Sequence, residues 1–142
     1  MTQKDKELLL KDLSARLPYG VKVKISNEHL NDDLIMLGYW QTLDVYCITY
    51  DAEPNASLIK DFEVLPYYIP LKFIKPYLFP MSSMTKEQKE EMKSFDPFKT
   101  EEIKTLGQWA VHLVDFYNKY HFDYRGLIEK GLAIDATGLN IY

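Results

Sequence analysis

His112, Asp115, His121 and Asp123 are the side chains of this chain whose types and spacing could do chemistry together. Imidazole and carboxylate groups ligate Zn²⁺ or a similar divalent ion, which then activates a bound water as a nucleophile. Three residues apart on a helix, His112 and Asp115 can approach one ion. His121 lies more than two turns beyond His112 and joins them only if the chain doubles back. The competing assignment is ordinary: His112 and Asp115 solvated on a helix flank, His121 capping the helix end where the dipole favours it, and Asp123 making a turn. That assignment carries more weight. A divalent-metal-dependent hydrolase is therefore the alternative expectation, and no residue is assigned as catalytic or as a metal ligand.

Other chemistry is thinly provided. Cys47, the only cysteine, lies in the apolar run Val45-Tyr46-Cys47-Ile48, whereas a reactive thiol wants partial exposure and a neighbouring cation or base. There is no Walker-type phosphate loop, no Gly-x-Gly-x-x-Gly, no Gly-x-Ser-x-Gly, no His-Glu-x-x-His and no paired-cysteine metal site. With six glycines in all, backbone cradling of a nucleotide phosphate is poorly supplied, and no cofactor is expected. Contact surfaces are the better prospect. Tyr77, Phe79 and Met81 lie in a proline-stiffened stretch that loses little entropy on docking. Tyr124 and Arg125 are residue types favoured as interface anchors. For the first group the plainer reading is a cover over one end of a sheet, and for the second a contact between Asp123 and Arg125 that fixes a corner.

The element that must position most of these residues runs from Ile103 to Ile128: one long amphipathic helix, a tight corner and the start of a short second helix. On a wheel turning about 100° per residue, Leu106, Trp109, Ala110, Leu113, Val114, Phe116, Tyr117 and Tyr120 share one broad arc, and Gln108, His112, Asp115 and Lys119 lie opposite. This partition predicts a helix laid across a core with His112 and Asp115 in water. Asp123-Tyr124-Arg125-Gly126 has the residues of a type I turn.

Upstream, Leu9, Leu10, Leu13 and Leu17 line one face of a helix from about Lys4 to Arg16, with Lys6, Glu7, Lys11 and Asp12 around the remainder; Pro18 and Gly20 end it. Val21, Val23 and Ile25 alternate with Lys22, Lys24 and Ser26, the period of a strand with one wet face, and the lysines suit an edge. Leu34–Leu37 and Val45–Tyr50 read as buried strands, antiparallel because no helix separates them. Phe62–Ile69 reads as a fourth, demoted by Pro66 to an edge or bulged strand. Pro70, Pro76 and Pro80 limit the next stretch to one turn near Leu71–Lys75 and an extended Tyr77-Leu78-Phe79. Thr85 with Gln88 is a capping-box pattern that starts a charged helix from Lys86 to about Lys93, held by Met92 and Phe95. Gly131–Ala136 can add a final short strand.

The whole is 142 residues, 46% apolar and 27% charged, the size and balance of one globular domain. Its 14% aromatic content is dominated by 11 tyrosines, which suit half-buried rims and contact surfaces. The net charge of −4 is unevenly spread: from Glu28 to Glu63 eight acids stand against Lys60 alone. Such a stretch repels a phosphate backbone and attracts a basic partner, so nucleic acid is disfavoured. A charged N-terminus without a signal-peptide core, and no apolar run of roughly 20 residues, point to a cytoplasmic protein away from the membrane. The expected fold is α+β: one domain, a small twisted antiparallel sheet of four or five strands, with the N-terminal and the long helix packed on it.

Three segments, Lys11–Val21 (KDLSARLPYGV), Ile74–Thr85 (IKPYLFPMSSMT) and His121–Ile128 (HFDYRGLI), together resemble an uncharacterised family of small bacterial proteins from anaerobic gut species. The resemblance implies a bacterial, cytoplasmic setting and no mechanism. The function expected is that of a non-enzymatic protein-interaction or accessory domain with acidic loops and a Tyr-rich contact surface, its partner another protein or a second copy of this chain.

Overall fold

The computed structural model describes residues 1–25, 33–42, 45–51, 67–69, 71–96, 101 and 103–142, and at 25, 33–42, 45–51 and 67–69 the backbone alone. The acidic stretch and the surroundings of Cys47 lie outside the described side chains.

Helix α1 (Gln3–Arg16) opens with Thr2 and Asp5 bonded reciprocally as a capping box, which satisfies two of the donors every helix start leaves open. Its inner face buries Leu9 and Leu13, with Leu10 and Leu17 packed at the margin, as the leucine spacing predicts. A 3-10 turn at Leu17–Tyr19 and Gly20, at φ +66°, then reverse the chain into strand β1 (Lys22–Ile25).

Strand β1 is interior, where its two lysines suggest an edge. It pairs antiparallel with β2 (Asp33–Thr42) on one side and with β5 (Ile74–Leu78) on the other. The backbone ladder continues from β2 through β3 (Val45–Asp51) to β4 (Tyr67–Ile69), each step antiparallel. Beyond β5 comes β6 (Ile134–Asp135), which runs parallel to it. The class is α+β, and the sheet is mixed where a purely antiparallel one is expected. Its parallel member exists because the chain returns to β5 through the whole helical segment, and a long crossover imposes no hairpin direction. Strand β6 covers only Tyr77 and Leu78, past Pro76, whose missing N–H would cost a rung there.

Two apolar clusters follow. The first joins α1 to the sheet through Leu9, Leu13, Val23, Ile74, Leu78 and Leu127. The second is largely aromatic: Phe116 and Phe122 with Met84, surrounded by Phe79, Phe95 and Tyr120. Helix α2 (Lys86–Lys93) has the capping box its sequence predicts, and Met92 and Phe95 attach it to this second cluster. Helix α3 (Leu106–Lys119), capped by the Thr105 hydroxyl, completes the frame. No second helix follows the corner; Gly126 and Gly131, both at positive φ, take residues 127–132 through turns instead.

Candidate functional site

The end of α3 is closed by a bond pattern that sequence reading did not anticipate. Phe122 N–H donates to Tyr117 O at 2.8 Å and His121 N–H to Asn118 O at 3.1 Å, the paired bonds of a Schellman ending. The residue that must turn left-handed there is His121, at φ +58°, where glycine or asparagine would cost less. Its position is held from outside: Phe79 N–H donates to His121 O at 2.9 Å, and Asp123 N–H returns to Phe79 O at 2.8 Å. The imidazole lies flat against the Tyr142 ring, centroids 3.8 Å apart.

The hydroxyl of Tyr142 accepts from Lys22 N–H at 3.1 Å and donates to Tyr77 O at 2.8 Å. In the β1–β5 register, where Val23 faces Pro76, Lys22 and Tyr77 would be the next opposed pair. A phenol thus bridges the position of the next rung. The Lys22 ammonium bonds Ile141 O and lies over the Tyr142 ring. Burial of the Tyr142 hydroxyl raises its pKa well above the ordinary phenol value.

Beneath the corner sits a buried ion pair. Arg16 donates to Asp12 through two nitrogens, at 2.7 and 3.0 Å, and to Phe122 O at 2.7 Å, with both side chains fully excluded from water. Asp12 was expected on the wet side of α1; the partner one turn later is what permits its burial. Arg125 approaches the same carboxylate at 3.5 Å, close enough for attraction but making no hydrogen bond through Nε. Two guanidinium groups, Arg16 and Arg125, also face the Tyr124 ring at 5.1 and 5.0 Å.

These placements settle what the four potential metal ligands do. His112 is exposed and stacked on Phe95 at 5.7 Å, while Asp115 is exposed and accepts from the Tyr19 hydroxyl at 3.1 Å. Asp123 is buried and accepts from Leu127 and Ile128 N–H, both at 2.8 Å. It organises the corner by capping two backbone donors, and Arg125 turns toward Asp12 instead of bonding it. Among the described residues no three His, Cys, Asp or Glu side chains come together as a metal would need. His121 alone is buried with an unpartnered Nδ1. Burial first, then the charges of Arg16 and Lys22, push its pKa down to about 4. A base that weak is mismatched to proton transfer near neutrality.

The expected contact residues are divided. Tyr77 is buried, Phe79 half-buried in the aromatic cluster, and Met81 exposed. Tyr124 is stacked on Tyr117 at 5.6 Å and donates to Asn118. Most of this set is spent inside the molecule.

The first half of α3 is the opposite case. Leu106 is 73% exposed, Val111 59%, Val114 37% and Trp109 36%, whereas Phe116, on the same arc as Trp109, is 2% exposed. Among the described residues, core contact reaches the helix from its last turns, through Phe116, Tyr117 and Tyr120. The expectation that the whole arc lies on a core is therefore corrected for Leu106, Trp109, Ala110 and Val114, all of which are exposed. No Asp, Glu, Lys or Arg interrupts α3 from Leu106 to Val114, so Leu106, Trp109, Ala110 and Val114 form one exposed apolar arc, with Val111 at its flank.

No protein-family model, curated protein or solved structure matches this chain.

Proposed function

We propose that this chain is a non-enzymatic protein-interaction domain that lays the first half of α3 into an apolar groove on a partner protein. One observation carries the reading: Leu106, Trp109, Ala110 and Val114 stand exposed on one arc of helix in a stretch without Asp, Glu, Lys or Arg, with Val111 exposed at its flank. Large apolar side chains grouped in this way are costly in water and mark contact surfaces. Leu106, Trp109, Ala110 and Leu113 also follow the i, i+3, i+4, i+7 spacing by which a helix fills a groove. Trp109 is the natural anchor, since Trp heads the residue types that dominate binding energy. The absence of charge on this stretch favours a groove that is itself apolar. A four-turn helix spans about 21 Å, too short to supply alone the roughly 800 Å² per partner of a standard stable interface. A transient complex with a different protein therefore fits better than a permanent homodimer.

A bacterial, cytoplasmic setting belongs to the same proposal. No helix among the described residues is long and apolar enough to cross a membrane. The acidic stretch between residues 28 and 63, attractive to a basic partner, would supply a second contact.

The test places a photoreactive phenylalanine analogue at Val114 in cells and follows cross-linking with and without Leu106→Glu and Trp109→Ala. The reading expects a discrete adduct to a second protein, lost in both variants while the fold by circular dichroism is kept. An adduct of the chain to itself would make the occupant a second copy and defeat the proposed partner. Unfolding by Leu106→Glu, with Trp109 emission in a Trp40→Phe background already that of a buried indole, would show the face covered within the chain and end the proposal.

A further inference from the structure

Phe79 and Phe122 are joined by an isolated parallel bridge, and residues opposed in register put their side chains on the same side. Beside these two rings opens a cavity of about 260 Å³, lined further by Ser83, Thr85, Gln88 and Thr137 and bordered by Gly138. It lies apart from the exposed face of α3 and depends on nothing proposed for that face.

The lining has a definite chemical character. Among the described residues no charged side chain and no aliphatic one lines the cavity; the polar side chains there are three hydroxyls and one carboxamide. Their orientation is set by α2. Gln88 Oε1 accepts from Thr85 N–H at 2.8 Å and Thr85 Oγ accepts from Gln88 N–H at 3.2 Å, so the capping box ties down one acceptor on each side chain. The Gln88 amide N–H₂ and the Thr85 hydroxyl hydrogen remain as donors without a partner among the described residues. Ser83 donates to Pro80 O at 2.7 Å, which leaves its oxygen to accept. The Thr137 hydroxyl can do either.

We infer that this cavity is a binding site for a neutral, hydroxyl-rich ring, a monosaccharide unit or cyclic polyol, with its C–H face on the half-buried Phe79 ring, the buried Phe122 closing the floor, and its hydroxyls on Gln88, Thr85, Ser83 and Thr137. The negative face of an aromatic ring attracts the weakly positive C–H bonds of a sugar. Hydroxyls and carboxamides exchange hydrogen bonds with sugar hydroxyls in both directions, and a ligand with mixed donors and acceptors uses such a lining fully. A charged ligand would meet no counter-charge in the cavity wall and would lose hydration without compensation. The volume falls just under the range of sites for drug-sized molecules, which fits one ring. A second cavity of about 420 Å³ shares Phe79 and Gly138 and continues along Asn140, Ile141 and Tyr142, leaving room for a substituent on that ring.

The experiment titrates the full chain, ¹⁵N-labelled, with glucose, galactose, N-acetylglucosamine and myo-inositol. At least one is expected to give saturable amide shifts, in the millimolar range, centred on Ser83, Gln88, Thr137 and Gly138. Gln88→Glu keeps the acceptor that caps Thr85 and removes the amide donors, so it should fold normally and weaken binding at least tenfold. Thr137→Val should weaken it several-fold, and Trp109→Ala should leave it unchanged. Absence of saturable shifts with all four ligands overturns the inference, as does binding indifferent to Gln88→Glu. Shifts at the same residues with indole but with none of the polyols would also overturn it, since the cavity would then be an aromatic slot.

Discussion

The two ends of α3 carry similar side chains to different fates. At its C-terminal end Phe116, Tyr117 and Tyr120 meet Phe122, Met84 and α2, and the chain is fixed by the paired closing bonds and by the return of Asp123 to Phe79. At its N-terminal end Leu106, Trp109 and Val114 meet water. Helical periodicity identifies an apolar face, but burial of that face depends on elements distant in sequence. Among the described residues, such elements lie beside the C-terminal end: Phe79, Met84 and α2. The face is one in composition and two in energetics.

That contrast can be broken most directly at the corner. Asp12→Ala leaves the Arg16 guanidinium buried without its carboxylate and should cost about 3–5 kcal/mol, read by urea denaturation. A loss under about 1 kcal/mol would mean that the pair is not buried as described. Phe116→Ala should cost a similar 3–5 kcal/mol, while Leu106→Ala, at the exposed end of the same helix, should stay within about 0.5 kcal/mol. Equal losses at the two positions would erase the distinction between the halves.

Next comes pH. The folded pKa of His121, about 4, lies below its unfolded value of about 6.5. Between these values the unfolded chain binds the extra proton, so the His121 contribution is fully present above the unfolded pKa and is lost as pH falls from about 6.5 to about 4. The loss is on the order of 3 kcal/mol. Denaturation midpoints for the wild type and His121→Asn across that window should diverge as pH rises, and parallel curves would refute the linkage.

The smallest effect is conformational. His121→Gly relieves the left-handed backbone by about 1 kcal/mol but gives up the ring contact with Tyr142. A net change near zero at pH 5 and a loss at pH 7.5 is the expected pattern, checked by thermal melts at both values.

Much of the frame was legible in the chain. Leucine spacing marked α1, the Thr85 and Gln88 pair marked α2, and the apolar arc marked α3, because each is a local arrangement read over a few turns. The corner was less legible. Asp12 and Arg16 look like surface residues until Phe122 O and Arg125 are brought beside them from more than a hundred residues away. The alternation of Val21, Val23 and Ile25 marked a strand but not its place in the sheet, which depended on β5 arriving as a neighbour. For the candidate site, Gln88 was visible as a helix-start residue. That its free amide joins Thr137 around two phenylalanines follows only from the bridge between residues 79 and 122.

The phenol at the position beyond Val23 and Pro76 gives the molecule a built-in reporter. Because the Lys22 amide is held by a side-chain oxygen from residue 142, its hydrogen exchange measures whether the last segment is docked, independently of global unfolding. A single deuterium-uptake curve at that amide would follow release and return of the segment that carries Tyr142, and in doing so count how often the end of the β1–β5 ladder is left open.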